Sequence, residues 1–266
     1  MSDLPVRHPA VAGQFYPGDP EQVRKMVQRY ISEATLPQDL GTVRAVIAPH
    51  AGYIYSGPTA GYAFKALTEL PEKEWTVFLL GPAHRVYFQG VALGNYSAFR
   101  TPLGSVPVAT ERIEEMLARS PLYIRAPEAH AHEHCLEVEI PFLQVALPRF
   151  RLVPMLFGEV DPRQVGAELA AHLGEDDLIV VSTDLSHYHP YDRARRLDNA
   201  LLDALMAGDE MGVLSGEACG RAPVVTLMSV ARHKGWKPRL LDYRTSGDTA
   251  GDKWQVVGYV SVAYTD

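Results

Sequence analysis

Short, strongly apolar runs alternate along this chain with longer amphipathic stretches, and the alternation predicts strands and helices in turn. Residues 43–48, 75–80, 151–156 and 178–182 are rich in Val, Ile and Leu and are bounded by Gly, Pro or polar residues. Runs of this kind read as strands buried on both faces of a parallel sheet. Two further strands are predicted at 239–243 and 255–263, the last β-rich enough to close the sheet. Asp19 precedes Pro20 and an apolar stripe of Val23, Met26, Val27 and Ile31, the signature of a capped helix start. Helical periodicity predicts further helices at about 58–70, 110–119, 162–173, 194–206, 209–215 and 221–234, and one from His130 to about Ala146. The Gly-punctuated stretch 87–108 reads as short hairpin-like strands. No linker, repeat or low-complexity segment divides the chain, so residues 1–266 are expected to form one domain. The expected fold class is α/β: a single domain, with a mostly parallel central sheet flanked by helices on both sides.

Charge narrows the function classes. The formal net charge is −7, and no Lys/Arg-rich segment interrupts the pattern. That argues against a nucleic-acid partner and against an anionic membrane surface. No apolar run approaches membrane-spanning length, and Met1–His8 lacks the pattern of a signal peptide. Cys135 and Cys219 are the two cysteines, too few for a disulfide framework. A cytoplasmic location is expected.

The strand ends carry the candidate chemistry. Strand 43–48 runs into Pro49-His50-Ala51-Gly52-Tyr53, strand 75–80 into Gly81-Pro82-Ala83-His84, and strand 178–182 into Thr183-Asp184-Leu185-Ser186-His187. In open α/β sheets ligands bind beyond the carboxyl ends of the strands. His50, His84, Asp184 and His187 are therefore expected to line one pocket. If His50 and His84 share one ion at about 2.0–2.2 Å each, their ring nitrogens lie within roughly 4.4 Å of each other. His187 is preferred over His189 because it is nearer the strand end. The tract His130-Ala131-His132-Glu133-His134 looks like a metal-binding run but opens a predicted helix. That leaves His134, Glu133 and Glu137 as second-rank pocket candidates beside Tyr53. Asp248 can supply a carboxylate to two histidines, whereas Asp252 reads as a hydrated turn. Arg221, in Cys219-Gly220-Arg221, fits anion binding or a structural cap equally well.

Taken in order, Arg7-His-Pro-x-x-Ala-Gly-x-Phe-Tyr-Pro17, Ala48-Pro-His-Ala-Gly-Tyr53, Leu80-Gly-Pro-Ala-His84, Glu133-His-Cys-Leu-Glu137, Ser182-Thr-Asp-Leu-Ser-His187 and Cys219-Gly-Arg221 resemble the Memo family. The resemblance spans nearly the whole chain. It implies a fold similar to the class III extradiol (LigB-type) non-haem iron dioxygenases, with a metal or ligand pocket at the strand ends. By motif match His50 and His84 would be imidazole ligands, with Asp184 beside them and His187 as the acid–base histidine. In the human member a cysteine, matched to the segment 243–252, is the third ligand; here Asp248 or Thr249 falls at that place, depending on one residue of alignment. Two histidines and a carboxylate suit Fe(II), with zinc or copper as alternatives. An AMMECR-type protein and a radical SAM protein are the partners the resemblance implies.

Three functions compete. The first is a metal-binding, dioxygenase-like oxidoreductase with His50, His84 and Asp248 on the iron and His187 moving the proton. The second is a non-catalytic protein that binds a small molecule or peptide in the same pocket. The third is a zinc hydrolase with Asp184 or Glu137 as base.

Overall fold

Of the strands that end at the pocket, the first keeps the predicted bounds 43–48, while the other two extend to Glu74–Pro82 and Asp177–Ser182. The computed structural model describes residues 4–266. From the amino end the elements are β1 (Val6–Arg7), α1 (Pro20–Glu33), β2 (Val43–Ala48), α2 (Tyr53–Thr68), β3 (Glu74–Pro82), β4 (Val91–Leu93), β5 (Ala98–Thr101) and β6 (Gly104–Pro107). Then come α3 (Thr110–Arg119), β7 (Tyr123–Arg125), α4 (Pro127–Ala131), a single 3-10 turn at Glu137–Glu139 and α5 (Ile140–Ala146). β8 (Arg149–Phe157), α6 (Pro162–His172) and β9 (Asp177–Ser182) follow. The chain ends with β10 (His187–His189), α7 (Tyr191–Ala207), α8 (Glu210–Ser215), α9 (Arg221–Lys234), β11 (Lys237–Thr245) and β12 (Val256–Thr265).

The central sheet runs β10-β12-β2-β9-β3-β8-β4-β7, with β11 also paired to β12. β2, β9, β3 and β8 are parallel neighbours, as expected of strands joined by helical crossovers. The sheet as a whole is mixed. β12 lies antiparallel to β2, β10 and β11, and β4 antiparallel to β8. The reason at the carboxyl end is local: β11 and β12 are joined by a turn, not by a helix, and a turn returns the chain antiparallel. A separate three-stranded sheet pairs β1 with the β5–β6 hairpin that the 87–108 pattern foreshadowed.

Helices cover both sides. α1, α2 and α5 pack together, with α2 against β2 and β12, while α6 and α8 pack on α9, which lies on β3 and β9. Val46, Ile47, Val77, Leu79, Val180 and Val181 are fully buried between the layers. Burial of this kind stabilises by about 1.5–3 kcal/mol per side chain. Asp19 caps α1 as predicted, accepting the Gln22 N–H at 2.9 Å.

Two helix predictions need correction. α2 starts at Tyr53, and Pro58, the predicted start, lies inside it. At this interior position proline removes one helical N–H and crowds the Ile54 carbonyl, a cost that burial of the surrounding helix face offsets. The stretch His130–Ala146 is not one helix. α4 stops at Ala131, and the Glu133 carboxylate takes the N–H groups of His134 and Cys135 at 2.8 and 3.1 Å. Those donors would otherwise continue a helical ladder, and a local side-chain acceptor competes with it.

Candidate metal centre

Because β2, β9 and β3 are adjacent and parallel, the loops leaving them open at one sheet edge. His50 follows β2, His84 follows β3, and Asp184 and His187 follow β9. To this group the irregular turn after α4 adds His134. One ligand atom each from His50, His84 and His134 lie within 4.8 Å of one another. An ion at about 2.0–2.2 Å from each needs separations no larger than roughly 4.4 Å, a few tenths of an ångström inside that spread. The rings of His84 and His134 are stacked with centroids 4.9 Å apart, and His50 stands edge-on to both.

The three imidazoles are held by oxygen atoms behind them. Nδ1 of His84 lies 2.9 Å from Glu133 Oε1, and the His84 backbone N–H donates to Oε2 at 2.7 Å. Nδ1 of His134 is 3.1 Å from the same Oε1 but off the hydrogen-bonding direction. Nδ1 of His50 meets Ser182 Oγ at 2.7 Å. Ser182 in turn faces the Cys135 carbonyl at 2.7 Å and Glu139 Oε1 at 2.9 Å. A carbonyl only accepts, so when the serine hydroxyl donates to it the His50 Nδ1–H donates to Ser182. Each Nδ1 engaged in this way leaves Nε2 as the nitrogen with a free lone pair, the usual arrangement behind a metal-binding histidine.

Electrostatics keep the ring nitrogens available. Burial, reinforced by the neighbouring His134 and His84, pushes His50 well below its ordinary range, so it is neutral at physiological pH. Burial also acts to raise Glu133, but the hydrogen bonds from His134 and His84 outweigh it and hold the carboxylate ionised below the usual range. Asp184 accepts the His50 backbone N–H at 2.8 Å. Burial raises its carboxyl to about 6, against that hydrogen bond and the charge of His187.

Cys219 completes the wall. Its Sγ is 3.4 Å from His50 Nε2 and accepts the Asp184 backbone N–H at 3.3 Å. Burial pushes this thiol up to about 12, so it is neutral. Gly220 permits this placement: a Cβ there would lie 2.6 Å from Thr183 Cβ. Gly81 acts likewise at the end of β3, where a Cβ would meet Cys135 Sγ at 2.7 Å. A cavity of about 620 Å³ opens above, touching His84, Cys219 and Arg221.

Several predicted residues lie elsewhere. Asp248 is not in the three-histidine group; its Oδ2 accepts from the Thr245 N–H and hydroxyl at 2.8 and 2.9 Å, and its Oδ1 from the Tyr191 hydroxyl at 2.6 Å. Thr249 donates its hydroxyl to the Ser246 carbonyl. Tyr53 is buried with its hydroxyl on the Val138 carbonyl at 2.6 Å. Glu137 pairs with Arg7 and accepts from Tyr16 and the N–H groups of Ala10 and Val11, pinning the Arg7–Pro17 segment to the body of the protein. Arg221 Nη1 donates to the carbonyls of Leu214 and Gly216. His187 donates its N–H to Glu217 at 3.2 Å, while His189 pairs with the same carboxylate through Nε2.

His134 belongs in the first rank and Asp248 does not. The cysteine that approaches the histidines is Cys219, at the start of α9, and not a residue of 243–252. Ser182 and Glu139 passed unnoticed: a Ser at a strand end and a Glu after a polar tract have no signature until the fold puts them behind His50.

Three imidazoles backed by buried oxygens at the carboxyl ends of an α/β sheet define a candidate transition-metal centre. The chain belongs to the Memo family, described as Memo-like protein, which matches residues 7–263. A MEMO1 family protein of Methanopyrus kandleri is 38% identical, covering 97% of this chain and 98% of its own. One from Archaeoglobus fulgidus is also 38% identical, covering 97% and 99%, and one from Sulfolobus acidocaldarius is 36% identical, covering 98% and 100%. In fold the chain is similar to an uncharacterized protein from Escherichia coli K12, with a TM-score of 0.54 at 16% identity over 83% of this chain and 99% of that one. No helix among the described residues is long and apolar enough to cross a membrane.

Proposed function

We propose that the protein binds one divalent transition-metal ion through His50, His84 and His134 and uses it on a small molecule that enters by the adjoining cavity. The observation that carries this reading is the convergence of three imidazoles, two of which, His50 and His84, have Nδ1 hydrogen-bonded to an oxygen behind them. Imidazole donors suit iron, zinc and copper, and Cys219 Sγ stands beside His50 as a further donor. Iron(II) is the ion we favour, by the resemblance to non-haem iron dioxygenases; bound here it would supply dioxygen and electron-transfer chemistry.

The protein's own groups supply binding and proton handling. Glu133 and Ser182 orient the ligands. Asp184, with a carboxyl near 6, can hold or release a proton near neutral pH. His187 lies close enough for its charge to act on Asp184 and His50 and is the candidate second proton carrier. The same raised Asp184 also supports a second reading, a zinc hydrolase with Asp184 as base.

Elemental analysis of anaerobically purified protein tests the proposal. About one ion per chain is expected, lost in His50→Ala and His134→Ala. Iron supports the oxidoreductase reading, and zinc the hydrolase. Protein that takes up neither on loading would leave a pocket that only binds.

A further inference from the structure

We infer that Arg7 is a positioning residue of the proposed metal centre: its guanidinium fixes the turn that carries Glu133 and His134. The inference rests on the proposed metal site and adds a distant part of the chain that builds it. Arg7 is buried in β1, and each of its guanidinium nitrogens has a partner in the stretch 130–137. Nε donates to the His130 carbonyl at 3.2 Å, Nη2 donates to the Glu133 carbonyl at 2.6 Å, and Nη1 pairs with the Glu137 carboxylate. These partners lie 123 to 130 positions away in sequence. Pairing of β1 with β5 sets Arg7 opposite Phe99, and its guanidinium carbon lies 5.4 Å from the centre of that ring. The small three-stranded sheet, separate from the central one, thus delivers Arg7 to the turn.

The turn needs holding. α4 ends at Ala131, and carbonyls at a helix end lack the N–H groups of a further turn. A cationic side chain suits that end. Arg7 takes carbonyls on one side of the turn, while the Glu133 carboxylate takes the N–H groups of His134 and Cys135 on the other. Held from both sides, Glu133 keeps its carboxylate on His84 and His134 keeps its ring stacked on the same histidine. The segment that Arg7 opens also touches the ligand itself, since the Phe15 ring lies 4.8 Å from that of His134. Glu137 matches the guanidinium by charge; the two carbonyls are the contacts that act on the metal site. Three acceptors served by three nitrogens require a planar fork, and a lysine ammonium, a single point, cannot span them.

Arg7→Lys separates the two roles, because it keeps a charge opposite Glu137 and loses the fork. It is expected to bind zinc about tenfold more weakly than the parent protein, measured by competition with a chelator. It is also expected to shift the imidazole signals of His134 in the NMR spectrum of the metal-free protein. Glu137→Gln, which keeps an oxygen for Arg7, is expected to change neither. Zinc binding in Arg7→Lys as tight as in the parent, or weakened only in proportion to its folded fraction, would overturn the inference. A second measurement, on the parent protein, decides the matter even where the variant does not fold. If Arg7 favours the turn that binds metal, bound metal favours the Arg7 contacts by the same factor. Zinc is therefore expected to slow hydrogen exchange at the Arg7 Nε–H about tenfold, and exchange that zinc leaves unchanged would also overturn the inference. His134 signals that shift in Arg7→Lys, in a protein whose parent takes up neither zinc nor iron, would keep Arg7 as the clamp of the turn and remove the metal reading.

Discussion

Glu133 and Glu137 stand four residues apart, and both are buried, yet they serve different regions of the molecule. Glu133 gives its two oxygens to His84, to the N–H groups of His134 and Cys135, and so to the candidate metal centre. Glu137 faces the other way and collects Arg7, Tyr16 and two backbone N–H groups of the amino-terminal segment. A third buried glutamate, Glu139, has only Ser182 as side-chain partner among the described residues; burial first, and then the charge of Asp184, raise it well above the carboxylate range. The residue type does not decide the role. The partners do: four donors make Glu137 an anchor, two imidazoles make Glu133 an orienting group, and one hydroxyl leaves Glu139 a carboxyl that burial pushes toward its neutral form.

The largest effect should come from the anchor. Glu137→Gln leaves the Arg7 guanidinium buried without its counter-charge, which costs about 3–5 kcal/mol when one partner of a buried pair is removed. Urea unfolding should show that loss, while the folded fraction keeps its metal. Loss of metal in parallel with the lost stability would join the two glutamates into one unit and break the comparison.

His130 tests the same segment by pH. It is buried, its Nε2 faces the Ala92 carbonyl at 2.9 Å, and burial lowers it to about 4 despite that hydrogen bond. Below its ordinary pKa of about 6.5 the unfolded chain takes up a proton that the folded protein refuses until about pH 4. Stability is therefore full above that ordinary value and falls as pH drops, by on the order of 3 kcal/mol from this group. His130→Gln keeps a donor for Ala92 but cannot titrate. Unfolding free energies measured at about pH 7 and about pH 4.5 should differ less in this variant than in the parent protein. An equal pH slope in the two would mean that His130 is not excluded from the proton in the fold.

Glu133→Gln should act on the metal more than on the fold. Removing a carboxylate behind metal-binding histidines weakens affinity about 10- to 100-fold. Competition with a chelator measures it, and the ratio of metal loss to stability loss should be the reverse of that in Glu137→Gln. Similar ratios in the two variants would erase the distinction between orienting group and anchor.

Much of the architecture was legible because it rests on local pattern. The runs 43–48 and 178–182 are strands because their side chains suit burial on both faces, and the Asp19 cap needs only residues three apart. The same pattern placed His50 and His84 at one sheet edge. What escaped depends on distant partners. Arg7 and Glu137 are 130 residues apart, and Cys219 reaches His50 across 169. His134 stands second in the sequence reading because H-x-H-x-H opens a predicted helix; only the folded carboxylate of Glu133, capturing two N–H groups, turns the chain and points His134 at the others. Asp248 was ranked high for the converse reason: a free-looking aspartate in a Gly-rich loop has a local partner that spacing does not reveal.

That aspartate gives the smallest and sharpest contrast with Glu133. Both carboxylates are fully engaged, but Glu133 holds imidazoles and Asp248 holds its own turn. Thr245 and Asp248 form a reciprocal cap on the 3-10 turn Ser246–Asp248, and Tyr191 adds a third donor. Partial burial works to raise the Asp248 carboxyl, but these hydrogen bonds hold it below its ordinary range, so it stays an ionised acceptor for the turn. Asp248→Ala removes the cap and should cost about 1 kcal/mol. It should leave the iron affinity of the protein unchanged, whereas Glu133→Gln lowers it. Parallel iron titrations of the two variants decide the matter. Weaker iron binding in Asp248→Ala would mean that the 245–252 loop swings its carboxylate onto the ion, and the third ligand would then be Asp248 in place of His134.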